Sequence, residues 1–233
     1  MGAQSPKVLL LLDGRPLLAH VVDSVRDAGI SRVIVVVGAG RDQVVRQFAG
    51  QGLEFAVQQE QKGTADAVLA CSGLLGDDEV CVVVCGDMPL VTGRTVRKLI
   101  TAFHERQADV AVLTAVVDNP RGYGRIVRAA GDLVDRIVEE RDADDHVRST
   151  REVNSGFYAF RWGKVQKVLQ SIKPSPVSGE YYLTEMVSGI RAEHGQVVAV
   201  QMDDPKELMG ANTPEQLGQV SAEFARRRAD CRR

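Results

Sequence analysis

Glu79-Val80-Cys81-Val82-Val83-Val84-Cys85, running directly into Gly86-Asp87-Met88-Pro89-Leu90, decides how the rest of the chain is read. From Val80 to Cys85 every side chain is apolar and most are β-branched. Such a run predicts a strand buried on both faces, at the centre of a parallel sheet. In open α/β sheets ligands bind outside the carboxyl ends of the strands. Asp87 therefore stands where a carboxylate can hold a hard cation, and Gly86 where a ligand can approach the backbone. Asp87 reads equally well as a cap on the turn before Pro89.

Upstream, Arg32 to Val37 is a second β-branched strand ending at Gly38, and Val44, Val45 and Phe48 follow at helical spacing. Leu53 to Val57 reads as a strand and Gly63 to Leu75 as a helix; Val8 to Leu12 reads as a short buried strand. Downstream come a helix over Gly93 to Gln107 and a strand over Ala108 to Val117. This alternation predicts an α/β fold with a mixed, mostly parallel sheet flanked by helices. Past Pro120 the pattern changes. Gly124 to Arg128, Leu133 to Glu140 and Glu152 to Phe160 are short strands between turns, so antiparallel pairing is expected. Helices return over Trp162 to Ile172 and Tyr182 to His194, with a late strand over Gln196 to Met202. Thr213-Pro214-Glu215-Gln216 opens a last helix with Thr at the N-cap and Pro at the first helical position. The Arg-rich tail after Ala225 is expected to fray. No repeat or linker interrupts the chain, which reads as one domain over 1–233. The shift at Pro120 divides it into 1–119, 120–212, and a C-terminal helix and tail, 213–233.

Composition narrows the function. With 233 residues, 44% hydrophobic and 26% charged, the chain can bury a sizeable core. A net charge of −2 gives no basic excess for nucleic acid. No apolar run approaches the roughly 20 residues of a membrane span, and no secretory signal fits, so a cytoplasmic protein is expected. Cys71, Cys81, Cys85 and Cys231 match no zinc or redox spacing and read as buried small hydrophobes.

Further constellations lie outside the decisive strand. In Gln58 to Ala67 (QQEQKGTADA), Gly63 and Thr64 could offer N–H groups and a hydroxyl at a helix N-terminus, and Gln58 an amide for a base edge. A plain N-cap explains the same residues. Lys7, just ahead of a short apolar run, can reach a phosphate as a point charge or merely be solvated. Gly124 in Gly122-Tyr123-Gly124-Arg125, Glu139, Asn154 in Asn154-Ser155-Gly156, and Tyr182 and Thr184 in Gly179 to Glu185 are groups that suit a polyhydroxyl ligand. Each is also common as a structural residue. Gly38-Ala39-Gly40 lacks the third glycine of a dinucleotide fingerprint, because Gln43 stands there. No activated nucleophile emerges; His20, His104, His146 and His194 read as surface or packing residues.

Taken in order, Pro6-Lys7-Val8-Leu9, Gln58 to Thr64, Gly86 to Leu90, Gly122 to Ile126, Val138-Glu139, Asn154 to Gly156, Gly179 to Thr184 and Asn212 resemble one family. It is the pyrophosphorylase domain of N-acetylglucosamine-1-phosphate uridylyltransferase, a sugar nucleotidyltransferase. The resemblance runs from Pro6 to the last helix and implies a Rossmann-like nucleotidyltransferase fold, with 1–119 its nucleotide-binding part and 120–212 its sugar-binding part. It implies UTP and N-acetylglucosamine-1-phosphate as substrates and Mg²⁺ as cofactor. Lys7 would contact phosphate. Gln58, Gly63 and Thr64 would hold uracil and ribose. Gly86 and Asp87 would contact the nucleotide, with Asp87 and Asn212 as the protein ligands of Mg²⁺. Gly124, Glu139, Asn154 and Thr184 would bind the sugar, with Tyr182 beside them. Lys7 and Asp87 would be the catalytic pair.

The pattern departs from the family in three places. The family's first strand and glycine-rich loop precede the Pro-Lys-Val-Leu segment, and here Met1 falls at the end of that loop. A misassigned start or a truncation is the expected explanation. Cys85 stands where the family often has tyrosine. The carboxy-terminal β-helix through which the family trimerises is missing, so a monomer is expected. The alternatives are uridylyl or thymidylyl transfer to another hexose-1-phosphate, a catalytically inactive module that binds UDP-sugar, and, more remotely, a dinucleotide-binding dehydrogenase.

Overall fold

The computed structural model describes residues 6–129, 131 and 133–230. After a 3-10 turn at Lys7–Leu9, a small hairpin (β1, Leu11–Leu12; β2, Arg15–Pro16) leads into α1 (Leu17–Asp27). There follow β3 (Ile34–Val37), α2 (Arg41–Gln47), β4 (Glu54–Val57), α3 (Thr64–Leu69) and β5 (Val80–Val83). Next are α4 (Gly93–Glu105), β6 (Val110–Val116), β7 (Arg125–Arg128), β8 (Val134–Val138), α5 (Asp145–Arg148) and β9 (Glu152–Arg161). The chain closes with α6 (Trp162–Ser171), α7 (Glu185–Ala192), β10 (Val197–Gln201), a 3-10 turn at Pro205–Leu208, and α8 (Pro214–Asp230).

The longest strand organises the sheet. One edge of β9 carries β6 along its length; the other is shared by β7 at Val153 and by β5 at Tyr158 to Arg161. β10 extends the sheet beyond β6, and β8 beyond β7. The β6–β9 ladder shifts register between Val112 and Thr114. There Ser155 Oγ donates to the Leu113 carbonyl at 2.6 Å and accepts the Phe157 N–H at 3.0 Å, so the interrupted backbone groups keep partners. Gly156 sits in this irregularity with φ +80°. One face of the sheet packs Phe157, Leu113 and Val200 with Val96, Leu99 and Phe103 of α4 and Val21 and Val25 of α1. The other packs Tyr158, Phe160 and Val112 with Trp162, Val165 and Leu169 of α6 and Met186, Val187 and Ile190 of α7. The spacing of these residues on α4, Val96-Leu99-Phe103, is the helical period read from sequence.

The α/β class and the mixed sheet between helices stand as expected, and so does antiparallel pairing past Pro120. Other expectations need correction. Among the described residues only β3–β4 and β10–β6 run parallel; the other ladders are antiparallel, so the sheet is mixed without being mostly parallel. Among the described residues β5 pairs only with β9, and all four of its residues are half-buried, so it is not a strand buried on both faces. Among the same residues β3 pairs only with β4. A β-branched run reports preference for the pleated conformation, and the number of neighbours comes from topology.

The two strand groups are tied at both ends. Arg32 bonds Glu54 and Glu79, each at 2.7 Å, at the amino ends of β4 and β5. At the carboxyl ends Pro6 lies against Gly40 and Val8 against Gly86. Val8 to Leu12 is accordingly a 3-10 turn and a two-residue strand, with Leu11 60% exposed, rather than a buried strand. The Arg-rich tail does not fray within the described residues. Helix α8 continues to Asp230, with Arg226 on Glu223 and Asp230, Arg227 on Asp204 and the Leu90 carbonyl, and Arg228 on Asp13. Cys71, Cys81 and Cys85 are free thiols, the latter two half-buried rather than fully buried; Cys231 and Met1 lie outside the described residues. Among the described residues no helix is long and apolar enough to cross a membrane.

Candidate functional site

Two groups of polar side chains are candidates, one just past the carboxyl end of β5 and one around the irregularity in β9. The first joins residues far apart in sequence. Lys7 Nζ donates to Asp87 Oδ2 at 2.6 Å and to Asn212 Oδ1 at 2.7 Å. Asp87 follows β5 on a short loop, and Asn212 precedes α8. Their loops are stitched together, because the Ala211 N–H donates to the Asp87 carbonyl at 3.2 Å and Gly210 packs against the same group. Gln216 accepts the Asn212 N–H at 2.8 Å, and the Gln216 N–H reaches Thr213 Oγ1 at 3.2 Å, a variant of the capping arrangement read from the sequence. Two oxygens thus converge on one ammonium cation. Mg²⁺ takes oxygen ligands and few of them from protein, so this pair is chemically suited to it. Among the described residues no cluster of three or more His, Cys, Asp or Glu is placed to hold a metal.

The second group surrounds the bend in β9. Thr184 Oγ1 donates to Glu139 Oε1 at 2.8 Å. The Asn154 N–H donates to the Gly124 carbonyl at 2.9 Å, and Asn154 Oδ1 accepts the Gly156 N–H at 3.0 Å. Gly124 is packed closely: an added Cβ would lie 3.1 Å from Ile137, 3.5 Å from Glu139 and 3.6 Å from Asn154. The structure therefore brings Gly124, Glu139, Asn154 and Thr184 together. Glu139 lies just past the end of β8 rather than within it. Burial raises its pKa, and the Thr184 hydroxyl and the negative charges of Asp142, Glu185 and Glu180 act after that. Tyr182 is half-buried and lines, with Glu139, Asp142, Glu185, Arg136 and Lys173, an open cleft of about 660 Å³. Neither Lys7, Asp87 nor Asn212 lines that cleft.

β5 links the two groups. Val83 pairs with Tyr158, and two residues on the Cys85 thiol lies 4.0 Å from the Gly156 carbonyl. Burial, then the Asp87 charge, pushes the Cys85 thiol up to about 12, so it is neutral at physiological pH and no nucleophile. Gly86 packs against Leu18 and Val8.

The loop over Gln58 to Thr64 is occupied internally. Gln58 Nε2 donates to the Gly63 carbonyl at 3.0 Å and to Asp66 at 2.8 Å. Thr64 Oγ1 accepts the Leu183 N–H at 2.9 Å. Tyr181 donates its N–H to the Lys62 carbonyl at 2.8 Å and accepts the Ala65 N–H at 2.9 Å. These groups fasten the loop to the segment carrying Tyr182 and Thr184.

Some residues escaped the sequence reading. The Tyr158 hydroxyl is buried without a hydrogen-bond partner; Asn154 is near enough to act on its ionisation but outside bonding geometry. Arg125, 2% exposed, bonds Glu140 and the Tyr123 carbonyl and braces the turn that carries Gly124. Buried Glu207 accepts the Thr92 N–H at 3.1 Å and so ties the segment before Asn212 to the segment after Asp87. Alternation along β9 puts Tyr158 on the face of Asn154; nothing local signals the other two.

Glu139→Gln should raise the melting temperature at pH 7 by about 1–3 °C. The carboxylate pKa is raised in the fold, so ionisation costs stability, and that cost sets in as pH climbs from the unfolded value through the raised one. The gain should vanish below the ordinary glutamate range. Thermal scans at several pH values read it, and a gain that grows on acidification would contradict this assignment.

A mixed sheet between two helical layers makes this an α/β protein of the nucleotidyltransferase fold. The profile of the MobA-like NTP transferase domain matches residues 1–153, and the chain belongs to that family. It is 40% identical over 223 residues to the bifunctional protein GlmU of Heliobacterium modesticaldum, covering 95% of this chain and 48% of the relative. It is 39% identical over 233 residues to GlmU of Geobacillus thermodenitrificans, covering 100% and 50%. The chain thus spans about half the length of the curated relatives it matches. These relatives bear out the resemblance, stated from sequence, to the pyrophosphorylase domain. A solved UDP-glucose pyrophosphorylase in complex with UDP-glucose superimposes with a TM-score of 0.76 at 16% identity, covering 95% and 91% of the two chains. A putative glucose-1-phosphate thymidylyltransferase from Bacillus anthracis does so with 0.76 at 22% identity, covering 94% and 86%. Both likenesses are of fold.

Proposed function

We propose that this chain transfers the uridylyl group of UTP to N-acetylglucosamine-1-phosphate, releasing pyrophosphate, with Mg²⁺ held by Asp87 and Asn212. The observation that carries this reading is the convergence of both oxygens on one cation; the polar group around Glu139 supports it. The resemblance of the ordered sequence segments, and the GlmU relatives that match most of the chain, support this reading.

A phosphate oxygen of the sugar-1-phosphate attacks the α-phosphorus of UTP in line. The bond from that phosphorus to the bridging oxygen breaks, and pyrophosphate leaves with the electron pair. Bound Mg²⁺ offsets phosphate charge. Lys7 supplies a further positive charge to the phosphates. Glu139 and Asn154 present acceptors to the sugar hydroxyls and acetamido N–H, and Thr184 orients Glu139. No covalent protein intermediate is needed, so catalysis is chiefly positioning and charge stabilisation.

The test is pyrophosphate release from the full chain with UTP, N-acetylglucosamine-1-phosphate and Mg²⁺, beside glucose-1-phosphate and dTTP. Preferential release with the first set supports the reading. Preference for glucose-1-phosphate or dTTP moves the specificity. Silence with retained UDP-sugar binding replaces the enzyme with a binding module.

A further inference from the structure

We propose that the Asp87–Asn212 oxygen pair is an exchange site, held by the Lys7 ammonium until a divalent cation displaces it and sends that lysine to the phosphates. This rests on reading the pair as the cation site. The ammonium lies 2.6 Å from Asp87 Oδ2 and 2.7 Å from Asn212 Oδ1, where a hard cation coordinated by both oxygens would sit. A monovalent and a divalent cation cannot share that point, because both need the same two oxygens and like charges at contact distance repel.

Asp87 is the fixed partner: its side chain is 14% exposed and its backbone carbonyl is bonded by the Ala211 N–H, while Gln216 holds the backbone N–H of the exposed Asn212. The Lys7 side chain is 52% exposed, so it can leave without opening the core. Its backbone stays anchored, since Pro6 packs on Gly40 and the Leu10 N–H donates to the Lys7 carbonyl at 3.0 Å. Only a flexible four-carbon stem has to swing. Cation and phosphate binding then become coupled: the cation frees the lysine for phosphate, and by linkage a phosphate that captures the lysine strengthens the cation.

Binding of Mn²⁺ to the full chain, followed by the paramagnetic resonance of free Mn²⁺, tests this in wild type, Lys7→Met and Asp87→Asn. Lys7→Met should bind Mn²⁺ about tenfold more tightly, since the competing charge-assisted bonds are gone. In wild type, acetylation of Lys7 by a dilute amine reagent, read by mass spectrometry, should rise severalfold on adding Mg²⁺ while other lysines are unchanged. This second arm separates displacement from mere removal of charge. Unchanged or weaker Mn²⁺ binding in Lys7→Met, or labelling indifferent to Mg²⁺, overturns the proposal. If Asp87→Asn loses Mn²⁺ while Lys7→Met gains nothing, exchange fails and the cation site stands. If Asp87→Asn binds as wild type, both fail. Should Lys7→Met fail to fold, Lys7→Gln takes its place.

Discussion

On the proposed function, Asp87→Ala should lower kcat for pyrophosphate release by about 10²–10³-fold, because the cation that offsets phosphate charge loses its charged ligand. Two effects act together. The pair facing the cation loses its only charged member, leaving Asn212 as a single neutral oxygen. Lys7 also loses its ion-pair partner and keeps only the neutral Asn212 oxygen. The fold should be little affected, because the Ala211 N–H bonds the backbone carbonyl of residue 87, which alanine keeps. Steady-state assays beside circular dichroism and thermal unfolding check this. A folded variant with activity within a few-fold of wild type would remove Asp87 from the chemistry.

Gly63→Ala is expected to be the most damaging small substitution for stability. Gly63 has φ +130°, a conformation that L side chains rarely adopt. An added Cβ would sit 2.5 Å from the Tyr181 carbonyl oxygen and 2.7 Å from its nitrogen. Those are backbone atoms, bonded to Lys62 and Ala65 on either side of the glycine, so they cannot yield without breaking that docking. Strain and clash together should cost about 3 kcal/mol or more. For a chain of this size that is roughly 6–12 °C in melting temperature. Denaturant titration measures the loss; one under about 1 kcal/mol would mean that the loop relaxes freely. Because the same docking places Tyr182 and Thr184, KM for the sugar-1-phosphate should rise as well.

Much of the candidate site was legible because its residues end recognisable strands or begin helices. Asp87 follows a β-branched run, which marks the position, but a turn cap explains the same carboxylate equally well, and only the resemblance of the segments taken in order gave it a role. The polar residues around Gly124, Glu139 and Asn154 stood out because turns and short strands flank them. Gln58, Gly63 and Thr64 were equally visible, but their hydrogen-bonding groups are engaged within the protein. Residue type shows what a group can bond; only its neighbours show whether that capacity is already met.

By itself the sequence determined the α/β class, the helical and strand periods and the end of β5 where polar groups would gather. These depend on side-chain chemistry repeated over a few neighbouring positions, which any short segment carries. Tertiary structure alone decided that β9 is the hub of the sheet, that β5 has one partner among the described residues, and that α8 runs on through its arginines. It alone brought Lys7 to Asn212 across 205 residues of chain. Such contacts form between segments with no local influence on each other. They are selected by whole-chain packing, which no window of sequence contains.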